Sequence, residues 1–200
     1  QRNRGVDVTA RINHDLGRFG SLSLLAQMTW QLEDVLTLFA SGNSTDLNGE
    51  VGDPKWVGDF NLSWNKGPWT VLYGLDVIGA ANDFQDLIDT QGGPCRTSFF
   101  RPGPNFSVDE QNNSIIPVAQ RTPFCPDVSV PSVRYHSLSV TREVGKQFEM
   151  TLGMANIFDR KPPRVSSAFS GITNLGQVPV FGSQYDYIGR RVFLNVRGNF

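Results

Sequence analysis

Hydrophobic and polar residues alternate along much of this chain with a period of two. A period of two places successive side chains on opposite faces of a β-strand, whereas the helical spacing of about 3.6 residues is almost absent. The clearest case is 21–33, where even positions are apolar and odd positions, apart from Leu25, are polar. The pattern therefore predicts an all-β protein.

Seven segments carry this alternation, and most of them are long. They are residues 6–13, 21–33, 57–65, 69–80, 133–143, 147–154 and 191–200. Strands in soluble domains average about 5 to 6 residues, whereas strands that cross an outer membrane need about 9 to 11. Alternation alone does not separate a membrane barrel from a soluble sandwich. Strand length, together with the charged and amide residues on the polar side, favours a barrel with a hydrated lumen.

Short and long connections alternate strictly between the seven predicted strands. The short ones are residues 14–18, 66–68 and 144–146, and the long ones run over about 37–55, 82–131 and 157–185. Long structureless loops are uncommon inside globular domains. An antiparallel up-and-down meander whose two ends face different compartments explains the alternation, since outer-membrane barrels have short periplasmic turns and long extracellular loops.

Aromatic residues lie near several strand ends. Trp64 and Trp69 flank one tight turn, and Phe148 and Phe200 lie near other strand ends. Such rings settle at the headgroup level of a bilayer and form the girdles of membrane barrels. Cross-strand aromatic pairs in a soluble sheet are the alternative explanation.

Composition narrows the class of protein. The 200 residues carry 18 Lys and Arg against 19 Asp and Glu, for a net charge of -1, so the basic footprint of a nucleic-acid-binding protein is missing. No apolar run approaches the roughly 18 to 20 residues of a transmembrane helix. The chain begins at Gln1 without a Met or a signal peptide, and bacterial barrels have an even number of strands. We therefore expect residues 1–200 to be the C-terminal part of a larger barrel.

Cys95 and Cys125 are the two cysteines of the chain, and each lies beside a proline. Their separation, without accompanying histidines, lacks the close ligand spacing of a zinc site. A loop-closing disulfide is the preferred interpretation over two free thiols, and it implies an oxidising compartment.

Two segments near the C-terminus resemble TonB-dependent outer-membrane receptors. Asn156, Ile157, Phe158 and Asp159, followed by 161–163, are similar to the Asn-Leu-Phe-Asp element that leaves the penultimate strand of that family. The segment 185–191, leading into a strand that ends Asn199-Phe200, is similar to the family's closing segment. The motifs cover about the last third of the chain, and the layout of strands and loops resembles the family throughout.

This resemblance implies a wall segment of a barrel of 22 strands, a size class with a plugged lumen. It implies TonB-energised uptake of a scarce solute, such as a ferric siderophore, cobalamin or a carbohydrate, across the outer membrane of a Gram-negative bacterium. TonB would act through a plug that is missing here, and the barrel-assembly machinery would recognise Phe200. Membrane lipid would contact the apolar side, while the alternation turns Arg191, Asn195 and Arg197 toward the lumen.

Candidate binding residues lie mainly in the longest connection. They are Asp83, Asp86, Phe99, Phe100, Arg101, Phe106 and Phe124. Asp83, Asp86 and Asp89, at three-residue spacing, would attract a cation or a sugar, or form a solvated loop face. The aromatic and basic residues would contact a ligand, or the rings would form the loop's own small core.

Neither catalysis nor a cofactor or metal is predicted from the sequence. His14 falls in a tight turn and His136 in a strand, without a Ser or Cys partner in a recognisable motif, so both are interpreted as structural. A passive porin, a soluble β-sandwich binding module and, with no supporting residue pair, an outer-membrane enzyme remain as alternatives to the receptor.

Overall fold

A computed structural model of the chain describes residues 1–37, 42, 44–82, 129–145, 147–166, 177–179 and 184–198. Within them, seven long strands coincide with the seven predicted segments. These strands are β1 (Arg2–Asp15), β2 (Ser21–Leu36), β4 (Trp56–Lys66), β5 (Trp69–Ile78), β8 (Val133–Val144), β9 (Phe148–Ala155) and β12 (Arg191–Gly198). The all-β prediction is confirmed.

Short elements lie in the connections. They are the 3-10 turn η1 (Gly17–Phe19) and the strands β3 (Thr45–Asp46), β6 (Ala81–Asn82), β7 (Ser129–Val130), β10 (Arg164–Ser166) and β11 (Gln177–Pro179). Two or three residues are too few to show a period, so alternation did not predict these strands. β6 pairs with β7, and β10 pairs with β11, at the bases of the last two long connections.

The long strands form one antiparallel sheet in the order β1-β2-β4-β5-β8-β9-β12, and β3 adds to β2. Each long strand therefore pairs with the next long strand along the chain, which confirms the up-and-down meander. The sheet is open, because β1 and β12 are its two edges among the described strands. It does not close into a barrel, so closure, strand number and membrane location stay predictions.

Polar residues of neighbouring strands lie next to one another across the sheet, and so do apolar residues. One lateral row contains Asp15, Ser21, Asn65, Thr70, Thr141, Thr151 and Asn195, one residue from each long strand. We call the face that carries this row the polar face. Neighbours in the row bond to each other: the Thr70 hydroxyl donates to Asn65 at 2.8 Å, and the hydroxyls of Thr141 and Thr151 are 2.9 Å apart.

The opposite face, called the apolar face, is largely uncovered. One of its rows contains Ile12, Leu24, Leu62, Tyr73, Leu138, Met154 and Val192, again one residue from each long strand. The exposed fraction is 56% at Ile12, 40% at Leu138 and 64% at Val192. Exposed apolar patches of this extent mark a surface that contacts a partner or a membrane.

The buried core lies at one end of the sheet, where the long connections leave it. It contains Ile78, Ala81, Val130, Val133, Tyr135, Val165 and Tyr185. These residues come from β5, β8 and the bases of the loops, so the core anchors the long connections to the sheet. A helix with the length and apolar character needed to cross a membrane is absent from the described residues.

Several strand boundaries differ from the prediction, and the start of β1 differs most. β1 begins at Arg2 rather than at residue 6, because residues 2–5 are polar or glycine and show no alternation. At the β-bulge between Arg4 and Gly5, Leu32 of β2 has no partner in the register. Arg2 and Arg4 both form salt bridges with Glu33 beyond that bulge. The predicted strand 69–80 ends earlier, at Ile78.

Candidate functional site

A cavity of about 760 Å³ opens on the polar face at the long-connection end. Its floor includes Asp59 of β4, Asp76 of β5 and Tyr135 of β8, and the segment 184–188 forms one wall. Small-molecule sites commonly have volumes of about 300 to 1,000 Å³. The cavity is therefore large enough for a small solute.

Two carboxyl groups lie side by side in the cavity floor. Asp59 and Asp76 are direct cross-strand partners, and Gln27 faces Asp59 from the other side. The side-chain amide of Asn61 donates a hydrogen bond to Asp59 Oδ1. Oxygen acceptors in this arrangement suit a ligand that offers hydroxyl or ammonium donors.

The strand pattern did not predict this carboxyl pair, although the length of the turn between the two strands indicates it. The two-residue turn Gly67-Pro68 joins β4 directly to β5, and Lys66 pairs with Trp69. In such a hairpin the residues that are equally distant from the turn face each other. That rule places Asp59 opposite Asp76 without any three-dimensional information.

Asn156 holds one wall of the cavity in place. Its Nδ2 donates to the Arg160 carbonyl at 2.9 Å and to Asp186 Oδ2 at 3.1 Å, and its Oδ1 accepts from the Arg160 N–H at 2.7 Å. Asn156 is 3% exposed and has φ 48°. Asn is among the residues that tolerate this left-handed backbone.

Asp186 receives donors from several segments. Its Oδ1 accepts from the N–H groups of Ile188 and Gly189 at 3.0 and 3.1 Å, and Arg191 forms a 3.3 Å salt bridge with Oδ2. Its own N–H donates to the Tyr135 hydroxyl at 3.1 Å. Partial burial raises the pKa of Asp186, but these bonds and the one from Asn156 outweigh it, so the pKa lies below its usual value.

Asp159 makes a second connection between the same two segments. Its Oδ1 accepts from Lys161 Nζ at 2.9 Å and from the Arg190 N–H at 3.0 Å. These two hydrogen bonds lower the pKa of Asp159. Gly189 has φ 85°, and a Cβ there would lie 2.5 Å from Asp159 Oδ1, so the close approach requires glycine.

The two motif segments thus meet in one hydrogen-bonded unit, the C-terminal corner, defined as residues 156–161 and 185–191. Ile157 donates its N–H to the His136 carbonyl at 2.9 Å, and Phe158 packs edge-on against the His136 ring with the centroids 5.0 Å apart. His136 also bonds the Tyr73 hydroxyl at 2.6 Å. His136 of β8 therefore contacts both Tyr73 of β5 and Phe158 of the C-terminal corner.

The three predicted lumen residues lie on the polar face. Arg191 pairs with Ala155, Asn195 with Thr151, and Arg197 with Glu149. Arg191 also contacts the cavity, whereas Asn195 and Arg197 lie farther along β12 toward the short turns. Arg191 and Asn156 share Asp186 as a bonding partner, whereas the other two lumen residues lie apart from that cluster.

Several predicted site residues lie outside the described residues. They are Asp83, Asp86, Cys95, Phe99, Phe100, Arg101, Phe106, Phe124, Cys125 and Phe200. The disulfide and the loop sites therefore stay predictions. Among the residues that the structure does describe, no group of three or more His, Cys, Asp and Glu side chains is arranged to hold a metal ion.

Comparison of the chain with models of protein families, with curated proteins and with solved structures gives no match.

Proposed function

We propose that this chain forms part of the wall of an outer-membrane β-barrel, in a TonB-dependent receptor that takes up a scarce solute. The main support for this proposal is that one seven-stranded meander has a polar face and an apolar face. Side chains from all seven strands form an unbroken polar row on one face and an unbroken apolar row on the other. A wall between lipid and a hydrated lumen needs this division.

The uncovered apolar face favours a membrane wall over a soluble sandwich. A sandwich buries its apolar face against a second sheet about 10 Å away. In the described part of the chain the 3-10 turn and the short strands are too small to form such a layer, and Leu152 and Leu194 on this face are 57% and 62% exposed. Burial of these side chains in hydrocarbon replaces the missing layer.

The open edges favour a wall that continues into further strands. Every residue of the two edge strands, β1 and β12, is exposed. Unpaired backbone groups cost several kcal/mol each in hydrocarbon, so strands of the same polypeptide would pair with both edges. We place residues 1–200 in the C-terminal part of such a barrel, with the plug in the remainder of the receptor.

The cavity at the long-connection end supports solute binding on the lumen side. Asp59, Asp76 and Arg191 line it, and the adjacent long connections would face the outside of the cell. These three residues would contact the solute, which would be a metal chelate or a sugar. We propose no catalytic role.

Fractionation of cells that express the full-length protein tests the membrane location. We expect the protein in the outer-membrane fraction, soluble only after addition of detergent. Recovery from the periplasm or the medium without detergent would contradict the barrel and support the soluble binding module.

Uptake tests the receptor function. Cells with and without the gene are compared for depletion of solutes from a defined medium, with a protonophore in a parallel culture. We expect at least one solute whose depletion requires both the gene and the proton-motive force. Gene-dependent depletion that the protonophore does not affect would identify a passive porin instead.

A further inference from the structure

Basic and aromatic side chains lie together at the short-turn end of the apolar face. Lys66, Trp69 and Arg142 are direct neighbours across β4, β5 and β8. Arg18 and Phe19 belong to the turn between β1 and β2 and lie beside Lys66. All five side chains are exposed. We call these five residues the basic-aromatic row.

Aromatic rings hold the cations of this row in place. The Arg18 guanidinium lies 4.8 Å from the Phe19 ring centroid, and Lys66 Nζ lies 5.9 Å from it. The Arg142 guanidinium lies 4.8 Å from the centroid of the Trp69 ring. A cation-π contact orients a cation without neutralising it, so the row retains its full positive charge.

Carboxylates do not neutralise the row. The salt bridges among the described residues involve Arg2, Arg4, Lys161 and Arg191, and none involves Arg18, Lys66 or Arg142. In the described strands, the charged side chains on the apolar face between the Ile12 row and the short turns are Lys66 and Arg142. This end of the apolar face is therefore positive, next to exposed aliphatic side chains.

We infer that the basic-aromatic row binds the headgroup of an anionic phospholipid, such as phosphatidylglycerol. The phosphate contacts Arg18, Lys66 and Arg142, and the acyl chains lie along the neighbouring apolar rows. Aromatic rings suit the headgroup level because they are amphipathic, and Lys and Arg near a bilayer surface attract anionic lipids. This inference rests on the proposed membrane location.

Zwitterionic lipids fit the row less well. Their headgroup carries an ammonium group that three nearby cations repel, whereas the phosphatidylglycerol headgroup has a net negative charge. The row therefore predicts selectivity between two lipids of equal acyl chains, and this selectivity separates a headgroup site from simple burial of apolar surface.

Lipid binding to the full-length protein in detergent tests the site. Native mass spectrometry measures binding of phosphatidylglycerol and of phosphatidylcholine with identical acyl chains. The site variant is R18Q/K66Q/R142Q. The control variant R11Q/R134Q/R197Q removes the same number of charges. Arg11 and Arg197 lie on the polar face, and Arg134 of β8 lies at the opposite, long-connection end of the sheet. We expect phosphatidylglycerol to bind the wild type and the control more tightly than phosphatidylcholine, and the site variant to lose about 100-fold in phosphatidylglycerol affinity.

A salt titration of the wild type provides a measurement that does not depend on folding of a variant. Raising the ionic strength from about 0.05 to 0.5 M should weaken phosphatidylglycerol binding and leave phosphatidylcholine binding unchanged. Equal affinity for both lipids, or an equal loss in the control variant, would overturn the headgroup site while leaving the barrel intact. A protein that stays soluble without detergent and binds neither lipid would overturn the proposed membrane location, and the headgroup site with it.

Discussion

Asn156 is a buried polar residue in the C-terminal corner. Its side chain makes two hydrogen bonds to the Arg160 backbone, which close the turn after β9, and one to Asp186, which joins that turn to the segment before β12. Buried polar groups that lose a partner cost about 1 to 3 kcal/mol. The left-handed backbone at Asn156 also restricts the residue types that fit there.

Replacement of Asn156 by glycine should therefore destabilise the protein. N156G keeps the left-handed backbone accessible and removes the three hydrogen bonds, so we expect a loss of about 1 to 3 kcal/mol in the free energy of unfolding. Urea unfolding in detergent measures it. N195G, on the exposed side of β12, controls for the entropy of a new glycine, and an equal loss in both variants would contradict the role of Asn156.

Asp159 and Asp186 should make the stability of the corner pH-dependent. Their pKa values are lowered in the folded state from the unfolded value of 3.8. A lowered folded pKa means that the ionised carboxylate stabilises the fold above the unfolded value, and that this stabilisation is lost as the pH falls through the folded value.

Unfolding experiments between about pH 5 and pH 3 measure this dependence. We expect the wild type to lose stability over that range and the D159N/D186N variant to lose distinctly less. D7N/D46N, which also removes two carboxylates, is the control. A double variant with the same slope as the wild type would refute the assignment.

β12 presents an apolar and a polar residue side by side on opposite faces of the sheet. Leu194 lies on the apolar face opposite Leu152, and the next residue, Asn195, lies on the polar face opposite Thr151. Both residues are exposed in the open sheet. Exposure in the sheet therefore does not distinguish them, whereas a membrane on one face would.

Arginine at these two adjacent positions gives a matched test of the membrane wall. We expect L194R to lower the free energy of unfolding from lipid by about 2 to 4 kcal/mol, because a charged side chain is costly at the middle of a bilayer. N195R should have little effect, since the polar face is hydrated. Folding titrations into phospholipid vesicles measure both variants, and equal effects would argue against lipid on the apolar face.

The seven long strands that the structure describes form a sheet with two open edges. β1 pairs with β2 along 14 residues, and its other side has no partner among the described strands. In an antiparallel edge strand, successive N–H groups point alternately toward the partner and away from it. A wall that continues past β1 would pair both sets.

Hydrogen exchange of the full-length protein shows whether β1 is an edge strand or an interior strand. We expect protection at consecutive amides from Val6 to Asn13, because a further strand pairs with the outer edge of β1. Protection at alternate amides alone would show that β1 stays an edge. The matching amides of β4, which is paired on both sides, supply the reference for an interior strand.

The alternation in the sequence determined which residues share a face and where the long strands lie, because β geometry directs successive side chains to opposite sides. The short turns also fixed the register within each hairpin, so the Asp59 and Asp76 pair was available from the sequence. The unpredicted short strands β6, β7, β10 and β11 carry too few residues to show a period.

Only the tertiary structure decided how the hairpins align with one another. The connections 37–55, 79–132 and 156–190 are long, so they do not restrict the register between the strands that they join. The full polar and apolar rows, the cavity and the meeting of Asn156 with Asp186 all depend on that register. Contacts between side chains that are distant in sequence select it, and a local period of two residues contains no information about them.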